Sequence, residues 1–369
     1  MPVNPNTILR SVPFEKIVNW SNDDHKSALE TFKRSYDEMK KAAHGFKRQA
    51  LFGGVLEDWL LIPESDFSAL APRQFFERHF TACAVSDPVR PEGLFTGYYE
   101  PEAQGSLKQV GPYQVPIYRK PPELRALDSQ EQASTGLSYG ILRNNKAHGF
   151  ATREEIEKGA LAGRGLEIVW LKSWVDAFFI HVQGSGRIRL ENGDVVRLAY
   201  AAKNGQTYTG IGGVLLDRGI ATPQTMSMQV LREWMADHPE EARALMWNNK
   251  SFIFFREIEV SDNQLGALGA QQVNLTPLRS LAVDRSIWMF GTPIWLDTTT
   301  PPESSGGAKP FQHLMIAQDT GTAIKGYVRG DVYRGWGDEA ALTAGHMKSP
   351  GHMTAFLPHA VFKSLQIKP

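Results

Sequence analysis

Apolar residues first recur with helical spacing just after Asn22. They are separated alternately by three and four positions, as on one face of a helix: Leu29, Phe32, Tyr36, Met39 and Ala43. Ser21 precedes them and is predicted to cap this helix. A second helical stretch is predicted after Pro72, with aromatic residues at Phe75, Phe76 and Phe80. The amino-terminal part of the chain is therefore predicted to contain two amphipathic helices.

The pattern changes near Pro91. Glycine, proline and aromatic residues become frequent there, which predicts that strands and turns begin. Residues 114–122 and the polar run 124–138 have the composition of a loop and a linker. We therefore place a candidate domain edge in this region.

The middle of the chain is predicted to alternate strands with helices. Runs of β-branched and aromatic residues predict strands at 167–171, 178–183 and 251–256. Residues 187–190 and 195–199 flank Asn192-Gly193, the strongest short signal for a β-hairpin. An amphipathic helix that ends before Pro239 is predicted from Met228, Leu231, Trp234 and Met235. Beyond Glu259, short apolar runs separated by Gly, Pro and Asp favour a small β-barrel.

Composition narrows the class of protein. A chain of 369 residues predicts two domains, since a domain typically has about 100 to 200 residues. Lys plus Arg and Asp plus Glu both total 40, so no global charge attracts nucleic acid or an anionic membrane. Cys83 is the only cysteine, which excludes an internal disulfide and a cysteine-based zinc site. Residues 1–10 lack the apolar run and the cleavage site of a secretory signal.

Two aspartates near the carboxyl end are the strongest candidates for catalysis. Asp319 and Asp331 lie beside glycines, which let a ligand approach the backbone. A single Asp-Gly pair is more often a turn, but several such pairs occur together here. If the two carboxylates meet in a partly apolar cleft, repulsion and desolvation raise one pKa. The resulting carboxylic acid could protonate a glycosidic oxygen near neutral pH.

A second group of residues could bind a sugar chain. The segment Gln183-Gly184-Ser185-Gly186 follows a predicted strand and suggests backbone placed close to a ligand, although a plain turn would use the same residues. Further hydrogen-bonding groups and aromatic faces are expected from Lys203, Asn204, Tyr98 and Tyr99. Core packing is the alternative for each tyrosine, because buried and exposed aromatics look alike in a sequence.

Several motifs in a fixed order now identify a resemblance. They are GLFTGYYEP at 93–101, VPIY at 115–118, FIHVQGSGR at 179–187, AKNG at 202–205, and the contexts of Asp284, Asp319 and Asp331. From about Pro91 to the carboxyl end, the chain resembles the membrane-bound lytic murein transglycosylase A family. The carboxyl part of that family is called the three-aspartate domain.

This resemblance implies a mainly β fold with flanking helices. It implies a double-psi β-barrel catalytic domain from residues 1–113 and 259–369, which includes the amino-terminal helices. A second β-rich domain at 114–258 would be inserted, with a substrate groove between the two.

The same resemblance implies an enzyme that cleaves peptidoglycan glycan strands in the periplasm, at the outer membrane. Asp331 would act as acid and then as base, with Asp319 beside it and Asp284 in substrate binding. The product would be a 1,6-anhydro sugar, and neither a metal nor a cofactor is expected. Nucleic acid is not an expected partner, and a monomer is the default.

Three other functions remain open at this point. A glycoside hydrolase would use two carboxylates, one of them Asp319 or Asp284. Asp319-Thr320-Gly321 is also the tripeptide of aspartic proteases, but the chain contains no second copy for a two-lobed enzyme. A non-catalytic module that binds the cell wall is the third alternative.

Overall fold

The structure is a computed structural model, and it describes residues 5–41, 49–88, 90, 92–222, 225–259, 265–301 and 307–367. The chain forms two compact units. Unit 1 contains Met1–Tyr99 and Gln264–Pro369, and unit 2 contains Glu100–Asn263. No helix in the described ranges is long and apolar enough to cross a membrane.

The helices and strands follow one another along the whole chain. The α-helices are α1 His25–Lys40, α2 Leu56–Trp59, α3 Asp66–Ala69, α4 Pro72–His79, α5 Ser129–Thr135, α6 Arg153–Glu155, α7 Trp174–Gln183, α8 Ile211–Asp217, α9 Met228–Asp237, α10 Pro239–Trp247, α11 Gly337–His346 and α12 His359–Ser364. The strands are β1 Leu9–Ser11, β2 Phe80–Val85, β3 Gly93–Glu100, β4 Glu102–Ser106, β5 Val115–Tyr118, β6 Arg125–Ala126, β7 Tyr139–Arg143, β8 Lys146–His148, β9 Glu167–Leu171, β10 Ser185–Leu190, β11 Val195–Lys203, β12 Ile253–Ile258, β13 Ser280–Val283, β14 Pro293–Thr300, β15 Lys309–Asp319, β16 Arg329–Trp336 and β17 Lys348–Pro358.

Unit 1 is built around one sheet, which has eight strands among the described residues. Their order is β1-β2-β17-β14-β15-β13-β16-β3. Strand β17 also pairs with β3, so the strands from β17 to β3 close into a ring. A closed ring leaves no free strand edge between its members. The predicted apolar runs near the carboxyl end are confirmed as strands β14, β15 and β17.

Helix α1 packs its predicted apolar face into the core of unit 1. Phe32 and Met39 are completely buried, and the ring of Phe32 contacts those of Phe75 and Phe80. The predicted cap was wrong: the Asp24 carboxylate, not Ser21, accepts the Ser27 N–H at 3.1 Å. Position 43 of the predicted face lies outside the described residues. Phe80 begins strand β2 and does not continue helix α4.

Unit 2 contains a six-stranded sheet and a three-stranded sheet within the described residues. The larger sheet has the order β12-β11-β10-β4-β9-β5, and the smaller one is β6-β7-β8. Strands β10 and β11 pair antiparallel around Asn192-Gly193, which confirms the predicted hairpin. The Glu100 side chain is fully buried between two arginines, with ion pairs to Arg187 at 2.8 Å and to Arg197 at 3.0 Å.

The strand predicted at 178–183 was wrong, because these residues form the second half of helix α7. Ser173 caps the helix by accepting the Val175 and Asp176 N–H groups. Two different cores cover it: Ile180 packs against the sheet side, while Phe178 and Phe179 pack among helices α8 to α10. A helix covered on more than one side has no polar face, so its sequence lacks the helical period.

The loop and linker predicted at 114–138 contain regular structure. Strand β5 is completely buried and pairs with β9, and its Pro116 is tolerated because β5 lies at the sheet edge. Helix α5 begins with a capping box between Asp128 and Glu131. Unit 2 also begins at Glu100, earlier than the boundary predicted at 113, because strand β4 pairs with β10 and β9 of that unit.

Candidate active site

The two predicted catalytic aspartates lie on either side of one short strand in unit 1. Ala282 of β13 is in register with Asp319 of β15 on one side and with Asp331 of β16 on the other. The pairing of β13 with β15 skips Gln318, so the register is irregular at Asp319. The charge of Asp331 nevertheless raises the pKa of Asp319, so the two carboxyl groups lie within electrostatic reach of each other. Two strand spacings of about 4.8 Å each separate their backbones. The structure therefore brings Asp319 and Asp331 together, although twelve positions separate them in the chain.

Asp331 is held by a short chain of hydrogen bonds. The Thr96 hydroxyl donates to Asp331 Oδ1 at 2.6 Å, and the Arg329 guanidinium donates to that hydroxyl oxygen at 2.8 Å. Burial raises the pKa of Asp331 above its usual value, while the charge of Arg329 and the Thr96 hydrogen bond limit the rise. A carboxylic acid with a raised pKa retains its proton closer to neutral pH.

Asp319 accepts hydrogen bonds from more donors than Asp331 does. Its Oδ1 accepts the backbone N–H groups of Ala270 and Thr320, each at 2.9 Å, and its Oδ2 accepts the Tyr98 hydroxyl at 2.9 Å. Burial raises the pKa of Asp319 to about 6, against the effect of these three donors, and the charge of Asp331 adds to the rise. The two carboxyl groups therefore influence each other's ionisation.

Strand β3 supplies the hydroxyl groups that reach both aspartates. Thr96 and Tyr98 are two residues apart, so they lie on the same face of the strand. The Tyr98 ring packs against Tyr333 at 5.3 Å, and burial raises its pKa well above the usual value. Tyr98 was predicted to offer a face to a sugar. Its hydroxyl instead donates to Asp319, and the contact of Thr96 with Asp331 was not predicted.

A buried polar network supports Asp319 from the other side of β15. The Gln318 amide is completely buried, donates to Thr31 O at 3.0 Å and to Ser35 Oγ at 2.8 Å, and accepts the Ser280 hydroxyl. Gln271 contributes a backbone hydrogen bond to Gln318 O at 3.1 Å. These contacts fix the end of β15 against helix α1. Sequence reasoning missed them, because an amide inside an apolar strand carries no recognisable signal.

The third aspartate, Asp284, directly follows strand β13. Its Oδ1 accepts the Ser286 hydroxyl at 2.6 Å and faces Lys325 Nζ at 3.3 Å, and its Oδ2 accepts the Gly326 N–H at 3.2 Å. Burial alone would raise its pKa, but these hydrogen bonds and the Lys325 charge lower it. Asp284 therefore binds the backbone at Gly326. A role in substrate binding stays a prediction.

The segment around Ser185 connects helix α7 to strand β10. Gly184 ends the helix with φ 77°, a left-handed conformation that favours glycine. A side chain at Gly186 would come within 3.2 Å of Ile180, so this glycine permits close packing of helix and strand. Ser185 is buried at the start of β10. The glycines thus have structural explanations, and sugar binding by Gln183 and Ser185 stays a prediction.

Asn204 has a structural role in unit 2. Its amide donates to Ala151 O and Lys250 O, each at 2.9 Å, and accepts the N–H groups of Phe252 and Gln206. These four bonds use the full capacity of an asparagine amide, and no polar group remains for a ligand. The expectation that Asn204 binds sugar is corrected on this ground.

Tyr99 and Lys203 complete the predicted set. Tyr99 is 4% exposed, so it cannot offer a ring face to a sugar chain as predicted, and packs as a core residue. Lys203 is half-buried at the end of strand β11, and its role in binding stays a prediction. Within the described ranges, the structure contains no group of three His, Cys, Asp or Glu side chains that could hold a metal ion.

Comparisons with known proteins bear on this arrangement. The family described as the MltA specific insert domain matches residues 94–256, and the 3D domain matches residues 279–357. A crystal structure of a membrane-bound lytic murein transglycosylase from Agrobacterium tumefaciens is 35% identical in sequence and superposes with a TM-score of 0.86. The match covers 97% of this chain and 99% of that one. The chain belongs to the membrane-bound lytic murein transglycosylase A family.

Two further members of the family are informative. Membrane-bound lytic murein transglycosylase A of Vibrio cholerae is 33% identical over 265 residues, which cover 70% of this chain but only 64% of that protein. The chain therefore matches less than two thirds of that curated relative. A crystal structure of Escherichia coli MltA with bound chitohexaose superposes with a TM-score of 0.67 at 27% identity, covering 95% of this chain and 93% of that one.

Proposed function

We propose that this protein is a lytic transglycosylase that cleaves the β-1,4 bond between N-acetylmuramic acid and N-acetylglucosamine in peptidoglycan. The register of Asp319 and Asp331 about Ala282 is the observation that carries the proposal. It places an acid with a raised pKa beside a second carboxyl group. The names of the relatives support the same activity, and the chitohexaose bound to the E. coli protein supports a polysaccharide substrate.

In this mechanism Asp331 acts twice. Its proton passes to the glycosidic oxygen while the bond between that oxygen and C1 of the muramyl residue breaks. The muramyl 6-hydroxyl oxygen then bonds to C1, and its proton returns to Asp331. No water is consumed, the product ends in a 1,6-anhydro ring, and one carboxyl group serves as acid and base in turn.

Asp319 would remain ionised during this cycle. Three hydrogen-bond donors stabilise its anion, whereas Asp331 accepts one, from Thr96. Because like charges disfavour one another, an ionised Asp319 favours the protonated form of Asp331. It would also stabilise the positive charge that develops at C1. These roles explain why both carboxyl groups are needed although only one transfers a proton.

Several finer expectations belong to the same proposal. The closed ring of strands in unit 1 supports a double-psi barrel as the catalytic domain. We propose that Gln183, Ser185 and Lys203 of unit 2 bind the glycan strand, and that Asp284 of unit 1 also has a role in substrate binding. We propose action at the periplasmic face of the outer membrane, and the word membrane-bound in the names of the relatives supports attachment to a membrane. A monomer that needs neither metal nor cofactor remains our expectation.

Mass spectrometry of the muropeptides released from purified peptidoglycan tests the proposal. Anhydromuramyl ends, lighter by one water than reducing ends, are expected. Reducing ends would make the protein a hydrolase, with Asp319 or Asp284 as the second carboxylate. If nothing is released but glycan strands still bind, the protein is a wall-binding module and the proposal is wrong.

A further inference from the structure

The two carboxyl oxygens of Asp331 differ in their hydrogen bonds. Oδ1 accepts the Thr96 hydroxyl, and in the part of the chain that the structure describes Oδ2 has no hydrogen bond. Asp331 is partly exposed as a residue. The question is which oxygen carries the proton when Asp331 is an acid.

The direction of the Thr96 hydrogen bond answers this question. A guanidinium has N–H donors and no acceptor, so the contact between Arg329 and the Thr96 oxygen must be donated by Arg329. A threonine hydroxyl has a single proton, and only Asp331 Oδ1 remains to accept it. Protonation of Oδ1 is disfavoured while it accepts this bond, because the hydroxyl oxygen of a carboxylic acid is a weaker acceptor than its carbonyl oxygen.

Arg329 is itself held in place by the backbone. It donates to Gly330 O and, at 3.4 Å, to Leu94 O, in addition to the Thr96 hydroxyl. Gly330 precedes Asp331 in strand β16, and Leu94 lies two residues before Thr96 in strand β3. The guanidinium therefore cannot turn away from Thr96 without losing two further bonds.

We propose that Arg329 and Thr96 are a positioning pair that keeps the acidic proton of Asp331 on Oδ2, the oxygen available to the substrate. This inference rests on the proposed function and adds two residues to it. Neither residue exchanges a proton with the sugar. Their effect is to fix the position of one O–H bond, so that the protonated form of Asp331 carries its proton on Oδ2 and not on Oδ1.

The test compares Thr96→Val with Thr96→Ser by pH profiles of kcat and KM for release of anhydromuramyl ends. Thr96→Val removes the hydroxyl at nearly constant volume. It is expected to lower kcat about tenfold with KM almost unchanged, and to shift the alkaline limb upward by about one pH unit, since a bond to the Asp331 anion is lost. Thr96→Ser retains the hydroxyl and should restore that limb.

Two controls make the result decisive. Thr135→Val removes a hydroxyl from helix α5 of unit 2 and should behave as the parent. If Thr96→Val does not fold by circular dichroism, Arg329→Gln replaces it. Its neutral amide can accept the Thr96 proton, so the same fall in kcat is expected. The alkaline limb should move up further than in Thr96→Val, because the Arg329 charge that lowers the pKa of Asp331 is lost as well.

Two outcomes would contradict the proposal that Arg329 and Thr96 position the proton. One is a fall in kcat without movement of the alkaline limb, and the other is an equal loss in Thr96→Ser and Thr96→Val. A parent protein that releases no anhydromuramyl ends would instead refute the proposed function, and the two failures are thus distinguishable.

Discussion

Tyr98 donates its hydroxyl hydrogen to Asp319 Oδ2 at 2.9 Å across the ring of strands, from β3 to β15. This bond stabilises the Asp319 anion and limits a pKa that burial raises to about 6. The tyrosine hydroxyl is therefore part of the electrostatic balance between the two aspartates.

Asp331→Asn should abolish cleavage while the protein stays folded. The amide has almost the same shape but cannot donate an acidic proton to the glycosidic oxygen. Loss of a general acid typically lowers the rate by about 10²- to 10⁴-fold. Release of muropeptides and thermal unfolding, measured on the same preparation, check this. Cleavage at the parental rate would refute the assignment of Asp331.

Asp319→Asn should lower kcat severely but for a different reason. The neutral amide no longer favours the protonated form of Asp331, so the pKa of Asp331 falls and the alkaline limb moves to lower pH. The direction is opposite to that expected for Thr96→Val. A pH profile with an unchanged alkaline limb would show that the two carboxyl groups do not interact.

Tyr98→Phe should shift the acidic limb of the profile. In the parent, activity should rise with a pKa of about 6 as Asp319 ionises. The phenylalanine variant loses a donor that lowers this pKa, so its acidic limb should lie higher by about one pH unit. Tyr99→Phe, at the adjacent buried position, is the matched control. Coincident acidic limbs for both variants and the parent would contradict the assigned role of Tyr98.

Asp23→Asn should destabilise unit 1. The Asp23 carboxylate is buried with Arg279, which donates at 2.7 and 2.9 Å, and also binds His313 and Leu314 N. Burial alone would raise the pKa of Asp23, but these partners lower it well below the usual value. Breaking a buried pair typically costs about 3 to 5 kcal/mol.

The pH dependence of the Asp23 effect has a defined sign. A carboxylate with a depressed pKa stabilises the folded state fully above its unfolded pKa of about 3.9, and this stability is lost as the pH falls towards the folded pKa. Urea unfolding should therefore show a large difference between the parent and Asp23→Asn at pH 7. The difference should shrink below about pH 4. A constant difference across this range would contradict the assignment.

Asn204→Ala should affect stability and not substrate affinity. The change leaves two part-buried carbonyl oxygens and two N–H groups of unit 2 without this partner. We expect a loss of about 2 to 4 kcal/mol in the free energy of unfolding. The KM of the folded fraction should equal that of the parent. A raised KM with unchanged stability would restore Asn204 as a sugar-binding residue.

Local patterns in the sequence predicted the elements that have one buried face or characteristic turn residues. Helix α1 has one buried face, and the β10–β11 hairpin has its turn residues, so both were found. Helix α7 was missed because apolar contacts on several sides erase the helical period. Strand β5 was missed because it contains a proline, which is typical of loops.

The candidate site was predictable only in part for a similar reason. Asp319 and Asp331 could be identified by their glycine neighbours. The hydroxyl donors Thr96 and Tyr98 reach them from more than two hundred positions earlier in the chain. Such contacts depend on which strands become neighbours, and residue spacing contains no information on strand order. The pattern of the sequence therefore indicated the acid groups but not the groups that control their protons.

The alternation of side chains along β3 has a consequence for how this segment can diverge. Thr96, Tyr98 and Glu100 occupy every second position, and they bind Asp331, Asp319 and the arginines of unit 2 respectively. Inserting or deleting one residue would turn every later side chain to the opposite face. We therefore expect the length of this segment to be invariant among functional descendants.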